Sequence, residues 1–164
     1  DVFAHNIEVV RRLTPSIRDQ RCDYDRSLEV LRHAKARAPE RFVKSSIMVG
    51  IGEGDDEVER TLTDLRAAGV DVVTLGQYLR PTPKHAPVHR YVEPRRFEAW
   101  AELGRELGFA HVASGPLVRS SYHAAEAFIS ALVRPSAPAP QASSGAAPAG
   151  FVPAGRLRRR TADG

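Results

Sequence analysis

The sequence predicts an α/β protein built on a parallel sheet, and three observations carry that prediction. Short apolar runs alternate with segments of helical period along residues 1–134. One run, "VDVVTLGQYL" (70–79), is β-branched and apolar, as a strand buried on both faces must be. Polar and glycine residues collect just after the apolar runs: His5 and Asn6; Gly50, Gly52 and Glu53; Gln77 and Tyr78; Ser114 and Gly115. Parallel α/β folds build their sites at that edge of the sheet. The clustering favours a partial (β/α) TIM-like barrel over a doubly wound sheet, and about four strands make half of an eight-stranded one.

Each element follows from its residues. "VFAHN" (2–6) is a short apolar run that stops at polar groups. "SLEVLRHAKARAP" (27–39) sets Leu28, Leu31 and Ala34 at helical spacing, and Pro39 closes it. "FVKSSIMVG" (42–50) is a strand ending in glycine. "DDEVERTLTDLRAAG" (55–69) opens on an aspartate that can cap and closes on Gly69; Val58, Leu62 and Leu65 form its inner stripe. "EPRRFEAWAELGRELG" (93–108) has Pro94 in its first turn, with Phe97, Trp100 and Leu107 facing inward. "FAHVAS" (109–114) is the last strand, and "SYHAAEAFISAL" (121–132) reads as a helix. From Pro135 to Gly164 the chain is rich in Pro, Ala, Gly and Ser. It has too few large apolar residues to offset its ordering entropy, so it is expected to be a disordered tail with a basic end, "RLRRR" (156–160).

Composition narrows the function classes. At 164 residues the chain can bury one core, and 24 Lys+Arg against 20 Asp+Glu leave only +4. No 18-residue apolar run exists, so no membrane partner is expected, and nucleic acid is not the expected partner either. The amino end, "DVFAHNIEVV", has no initiator Met and no signal-type stretch, and reads as the middle of a longer frame. The single cysteine, Cys22, allows neither an internal disulfide nor an all-cysteine metal site, and suits a cytoplasmic location.

Several motifs carry chemistry. "GIGEGDDE" (50–57) is a glycine-containing strand-to-helix turn, neither a Walker loop nor G-x-G-x-x-G. It is a plain turn or a ligand loop, in which Glu53 could accept both hydroxyls of a ribose. Lys44, inside a strand, could form a Schiff base, hold a ligand carboxylate or face outward at the strand's start. "GQYLRPTPKHAPVHRYV" (76–92) is stiffened by prolines and decorated by Gln77, Tyr78, His85, His89 and Arg90, as a site wall would be. "VRSSY" (118–122) sets Arg119, Ser120 and Ser121 before a helix; helix capping is the plain reading, and G-x-S-x-G spacing is absent.

Five blocks in order, "DVFAHNIE", "KSSIMVGIGE", "DLRAAGVDVVTLGQYLRPT", "HAPVHRYVEP" and "GFAHVASGPLVRSSY", resemble the carboxyl-terminal half of lipoyl synthases, which are radical S-adenosylmethionine enzymes. The resemblance covers residues 1 to about 125. It implies a carboxyl-terminal half barrel and insertion of two sulfur atoms at C6 and C8 of a protein-bound octanoyl group. It also implies two [4Fe–4S] clusters: one binds S-adenosylmethionine and reduces it to a 5′-deoxyadenosyl radical, and the other is consumed as the sulfur source. On the resemblance, Ser120 is the serine ligand of that auxiliary cluster. A hard oxygen ligand, which must be deprotonated to bind, leaves one iron corner easier to lose than a thiolate would. Asn6, Glu8, Lys44, Glu53, Gln77 and Tyr78 are the residues it places around S-adenosylmethionine. The implied partners are an octanoylated lipoyl domain or H-protein, and a missing amino-terminal half.

The departures matter as much. The family's two cysteine trios have no counterpart in this sequence, so the chain is expected to be inactive alone. Cys22 stands where a small residue is expected, Ser46 where the family pattern has glycine, and Gly54 where it has a threonine-like residue. Two rival readings stay open at this point. One is a Schiff-base aldolase half barrel using Lys44; the other is a non-catalytic binding module whose basic tail contacts nucleic acid.

Overall fold

A computed structural model gives the fold and describes residues 2–119. Four strands, β1 (Val2–Ala4), β2 (Phe42–Val49), β3 (Val72–Gln77) and β4 (His111–Gly115), form one parallel sheet in the order β1-β2-β3-β4. The alternation and the four-strand count expected from the sequence are present. Ser120, the expected helix at 121–132 and the tail at 135–164 lie outside the described residues.

The helices are α1 (Thr14–Ile17), reached through a 3₁₀ turn at Arg11–Leu13, α2 (Tyr24–Arg37), α3 (Asp55–Ala67) and α4 (Pro94–Glu106). The sequence reading started α2 at Ser27. The helix begins one turn earlier because the Asp23 side chain accepts the Arg26 N–H and caps that end. α3 opens on Asp55, Asp56 and Glu57, whose charges suit the positive end of the helix dipole; the Glu57 carboxylate also accepts the Gly54 N–H at 2.8 Å. The turn at 11–17 escaped the sequence reading, because a segment this short shows no apolar period.

Each strand is joined to its immediate neighbour through a helix. Right-handed crossovers therefore put α2, α3 and α4 on the same face of the sheet. The core sits there. Val43, Ile47 and Val49 of β2 and Val73 and Leu75 of β3 pack against Leu28, Leu31, Val58, Leu62, Leu65, Phe97 and Trp100. Phe97 and Trp100 meet edge-to-face, with ring centroids 5.7 Å apart.

Alternation puts the intervening residues on the opposite face. The register aligns them in three rows: Lys44 with Val72 and His111, Ser46 with Thr74 and Ala113, and Met48 with Gly76 and Gly115. Of these, Lys44, Ser46 and Thr74 are polar and buried, on the face away from the core formed with α2, α3 and α4. Lys44 is only 9% exposed, so the outward-facing option for it does not hold.

Candidate ligand-binding site

Where the strands end, the chain turns back on itself four times, and each turn fixes a polar group. After β1, Glu8 adopts φ 69°, a left-handed conformation that costs a non-glycine residue about 1 kcal/mol or more. Two bonds to β2 hold it there: the Glu8 N–H donates to the Ser46 carbonyl at 3.0 Å, and the Met48 N–H donates to the Glu8 carbonyl at 2.7 Å. The Asn6 side-chain amide donates to the Glu8 carboxylate at 3.2 Å, so these two expected site residues act as a pair.

After β2, the glycine turn wraps a carboxylate. Glu53 is 5% exposed, and its two oxygens accept the Gly50 N–H at 2.7 Å and the Ile51 N–H at 3.0 Å. Arg90 lies 3.8 Å from Glu53 and 2.7 Å from Asp55, which also bonds Arg96. The sequence left open a plain turn or a ligand loop here; both Glu53 oxygens accept N–H groups of the turn and hold its shape.

After β3, Gln77 uses both ends of its amide. Its NH₂ donates to the Tyr78 and Arg90 carbonyls, and its oxygen accepts the Val92 N–H at 2.9 Å. The Tyr78 hydroxyl donates to the Ala86 carbonyl at 2.9 Å. Together with the Gly50 carbonyl, which accepts the His89 and Arg90 N–H groups, these bonds pin the proline-stiffened segment to the strand ends. After β4, the Ser114 hydroxyl donates to the Phe97 carbonyl at 2.8 Å, and a turn brings the Val118 carbonyl over Gly76. A side chain at position 76 would collide with that carbonyl, so the close approach requires glycine.

The four ends enclose a cavity of about 180 Å³, whose polar lining is Glu8, Ser46, Thr74, Gln77, Tyr78 and Arg119. Three expected site residues, Glu8, Gln77 and Tyr78, line it directly. Asn6 reaches it through Glu8, Lys44 lies one row below on the same face, and Glu53 sits outside it behind the glycine turn. Ser120 lies outside the described residues; Arg119, the last described residue, lines the cavity. Sequence reading missed Ser46 and Thr74 as site residues. The available signal was the period-2 spacing from Lys44 to Ser46, which puts both on one strand face.

Two half-buried imidazoles that do not line the cavity favour the neutral form. Burial lowers the His5 pKa, with the Arg18 charge adding to the effect and Glu8 opposing it; burial also lowers that of His111. Among the described residues no group of three or more His, Cys, Asp or Glu is placed to hold a metal ion. An iron–sulfur cluster therefore does not fit the described residues. A small polar organic ligand does fit: the Ser46 and Thr74 hydroxyls are buried in the lining with no hydrogen-bond partner among the described residues.

No protein-family model matches the chain. Over 90% of its length it is 58% identical to a lipoyl synthase of Sorangium cellulosum, of which it covers 43%. It is 58% identical, over 81% of its length, to a mitochondrial lipoyl synthase of Branchiostoma floridae, covering 35% of that protein. A chloroplastic lipoyl synthase of Oryza sativa subsp. japonica is 56% identical over 88% of the chain, which covers 39% of it. The chain spans less than half the length of these relatives and matches their carboxyl-terminal part.

Proposed function

We propose that this chain, which belongs to the lipoyl synthase family as a match to its carboxyl-terminal part, supplies one wall of an S-adenosylmethionine site in a sulfur-inserting enzyme. The observation that carries the reading is the cavity at the strand ends. It joins an anion (Glu8), a cation (Arg119) and two hydroxyls without a hydrogen-bond partner among the described residues, at the strand ends of a parallel sheet. We read the sheet as half of a (β/α) barrel: its strands run in sequential order with α2, α3 and α4 on one face, which suits an opposite face that lines an interior.

S-adenosylmethionine, when bound, supplies hydrogen abstraction from the octanoyl chain, and this chain's residues bind and orient it. Asn6 and Glu8 present a paired amide and carboxylate suited to a ribose diol or an ammonium. Lys44, buried on the same face, brings its amine to that interior. Glu53, Gln77 and Tyr78 keep the rim rigid by saturating backbone groups of the 50–53 and 86–92 segments.

A [4Fe–4S] cluster held by three cysteines cannot form on a chain with one, so we assign both clusters' cysteines to another part of the enzyme. Ser120 remains our proposed oxygen ligand to the auxiliary cluster, and this chain alone is inactive. The protein partner we assign is an octanoylated lipoyl domain or H-protein. No described helix is long and apolar enough to cross a membrane, and we place the chain in the cytoplasm, where a lone cysteine stays reduced.

The test is binding of S-adenosylmethionine to the full chain by ligand-observed NMR. Saturable binding that weakens in Glu8→Ala supports the reading; no binding to the unmodified chain contradicts it. Borohydride trapping with carbonyl substrates is expected to leave Lys44 unlabelled, and labelling there would restore the aldolase reading.

A further inference from the structure

We infer that the proline-stiffened loop 79–91 is the docking surface for the protein that carries the octanoyl chain, and that the carrier meets it with an acidic face. The loop's charge is one-sided. From Val72 to Val92 the chain has no carboxylate, yet that segment carries Arg80, Lys84, His85, His89 and Arg90. The cations at its far end are matched: Arg90 and Arg96 bond Asp55, and Arg95 bonds Glu93. Arg80 and Lys84 are exposed, and among the described residues neither has a carboxylate within ion-pair distance. Arg80 bonds only the neutral Pro83 and His85 carbonyls, so its charge stays on the surface. Uncompensated surface charge favours and steers a partner of the opposite sign.

The loop holds its shape before any partner arrives. Pro81, Pro83 and Pro87 fix backbone angles. The His85 N–H donates to the Thr82 carbonyl at 3.0 Å, and the Arg80 Nε donates to the His85 carbonyl at 2.9 Å. Ala86 and Val88 pack inward against Val9, Ile51 and Tyr78, while Lys84, His85, His89 and Tyr91 stay exposed. A preformed surface loses little conformational freedom on association. Tyr91 is 74% exposed and Leu79 49%, so apolar contact area lies beside the charges. Aromatic and arginine side chains together are what protein interfaces favour.

Position selects the partner. Leu79 and Pro81 also line the cavity, so a body resting on the loop sits at the cavity's mouth. An octanoyl chain on a lysine is a short neutral arm, which brings its carrier close but cannot answer the loop's charge. Carboxylates on the carrier around that lysine supply the match.

This inference rests on the sulfur-insertion reading of the chain, and its test separates the two. Octanoylated lipoyl domain and octanoylated H-protein are each passed over the immobilised full chain at low and at high ionic strength, and association and dissociation rates are measured. The unmodified chain is compared with Lys84→Glu, Tyr91→Ala and Arg32→Glu, the last making the same change of charge on α2. At low salt at least one carrier is expected to bind. Lys84→Glu then slows association about tenfold with little change in dissociation. Tyr91→Ala speeds dissociation about tenfold, and Arg32→Glu alters neither rate. High salt removes the difference between Lys84→Glu and the unmodified chain. Equal slowing by Arg32→Glu would reduce the effect to net charge and overturn the inference. So would carrier binding that neither loop variant alters, or a DNA duplex that competes as well as the carrier. If neither carrier binds while S-adenosylmethionine does, the docking surface fails and the ligand site survives. If a carrier binds through the loop and S-adenosylmethionine does not bind, the docking surface stands and the ligand site falls. If nothing binds, both fail.

Discussion

Glu53 clamps its own turn in the fold, whatever ligand role its position after a strand suggests. Its carboxylate follows a strand and a glycine turn, as a ribose-binding acid would, yet both oxygens accept N–H groups of its own loop. Charge-assisted bonds of this kind contribute about 1.5–3 kcal/mol each. Glu53→Gln leaves one N–H facing an amide NH₂ and should lower unfolding free energy by about 2 kcal/mol, measured by urea denaturation. His5 and His111 give a second residue-scale expectation. Their folded pKa values lie below the ordinary imidazole value of 6.5, so the unfolded chain takes up protons more readily than the folded one. Stability from these groups is fully present above 6.5 and is lost as pH falls from there through the folded values. Urea midpoints measured across that window should fall on acidification, and His5→Gln should flatten the fall. An unchanged slope in the variant would mean that His5 does not titrate as its burial implies.

At the scale of elements, two glycines decide how tightly the strand ends close. Gly50 has φ +98°, and a Cβ there would strike the Gln77 amide and come within 2.5 Å of the Arg90 carbonyl. Gly76 admits the Val118 carbonyl. Gly50→Ala combines left-handed strain with a clash against a fixed segment, and should cost about 2 kcal/mol or more while loosening the 86–92 loop. Urea denaturation measures the first effect, and amide exchange at His89 and Arg90 the second. The elements themselves were legible in the sequence. Val72, Val73 and Leu75 announce a buried strand, and Val58, Leu62 and Leu65 announce a helix stripe, because burial of a repeating face leaves a repeating pattern. The site was legible only in part. Asn6 could be singled out from its place after a strand, whereas Glu8 came only from the family resemblance. That Gln77 saturates backbone groups, or that Ser46 and Thr74 lack partners among the described residues, depends on which segments fold back over them. Pairings between residues so far apart leave no local periodicity.

At the scale of the whole molecule, the described residues form a single sheet with α2, α3 and α4 packed on one side. Among the described residues the outer edge of β1 pairs with no other strand, and Val2 and Phe3 on it are 39% and 38% exposed. An open strand edge beside apolar side chains promotes pairing between chains. Phe3→Lys should therefore raise the concentration at which the isolated chain begins to associate, measured by sedimentation velocity. The functional division follows the same boundary. This chain carries the polar wall at the strand ends, while its one cysteine cannot anchor a cluster. The most direct test of that division is anaerobic reconstitution of the full chain with iron and sulfide, followed by its visible charge-transfer absorption after desalting. The account predicts no stable cluster spectrum from this chain alone; one [4Fe–4S] cluster retained per chain would contradict it.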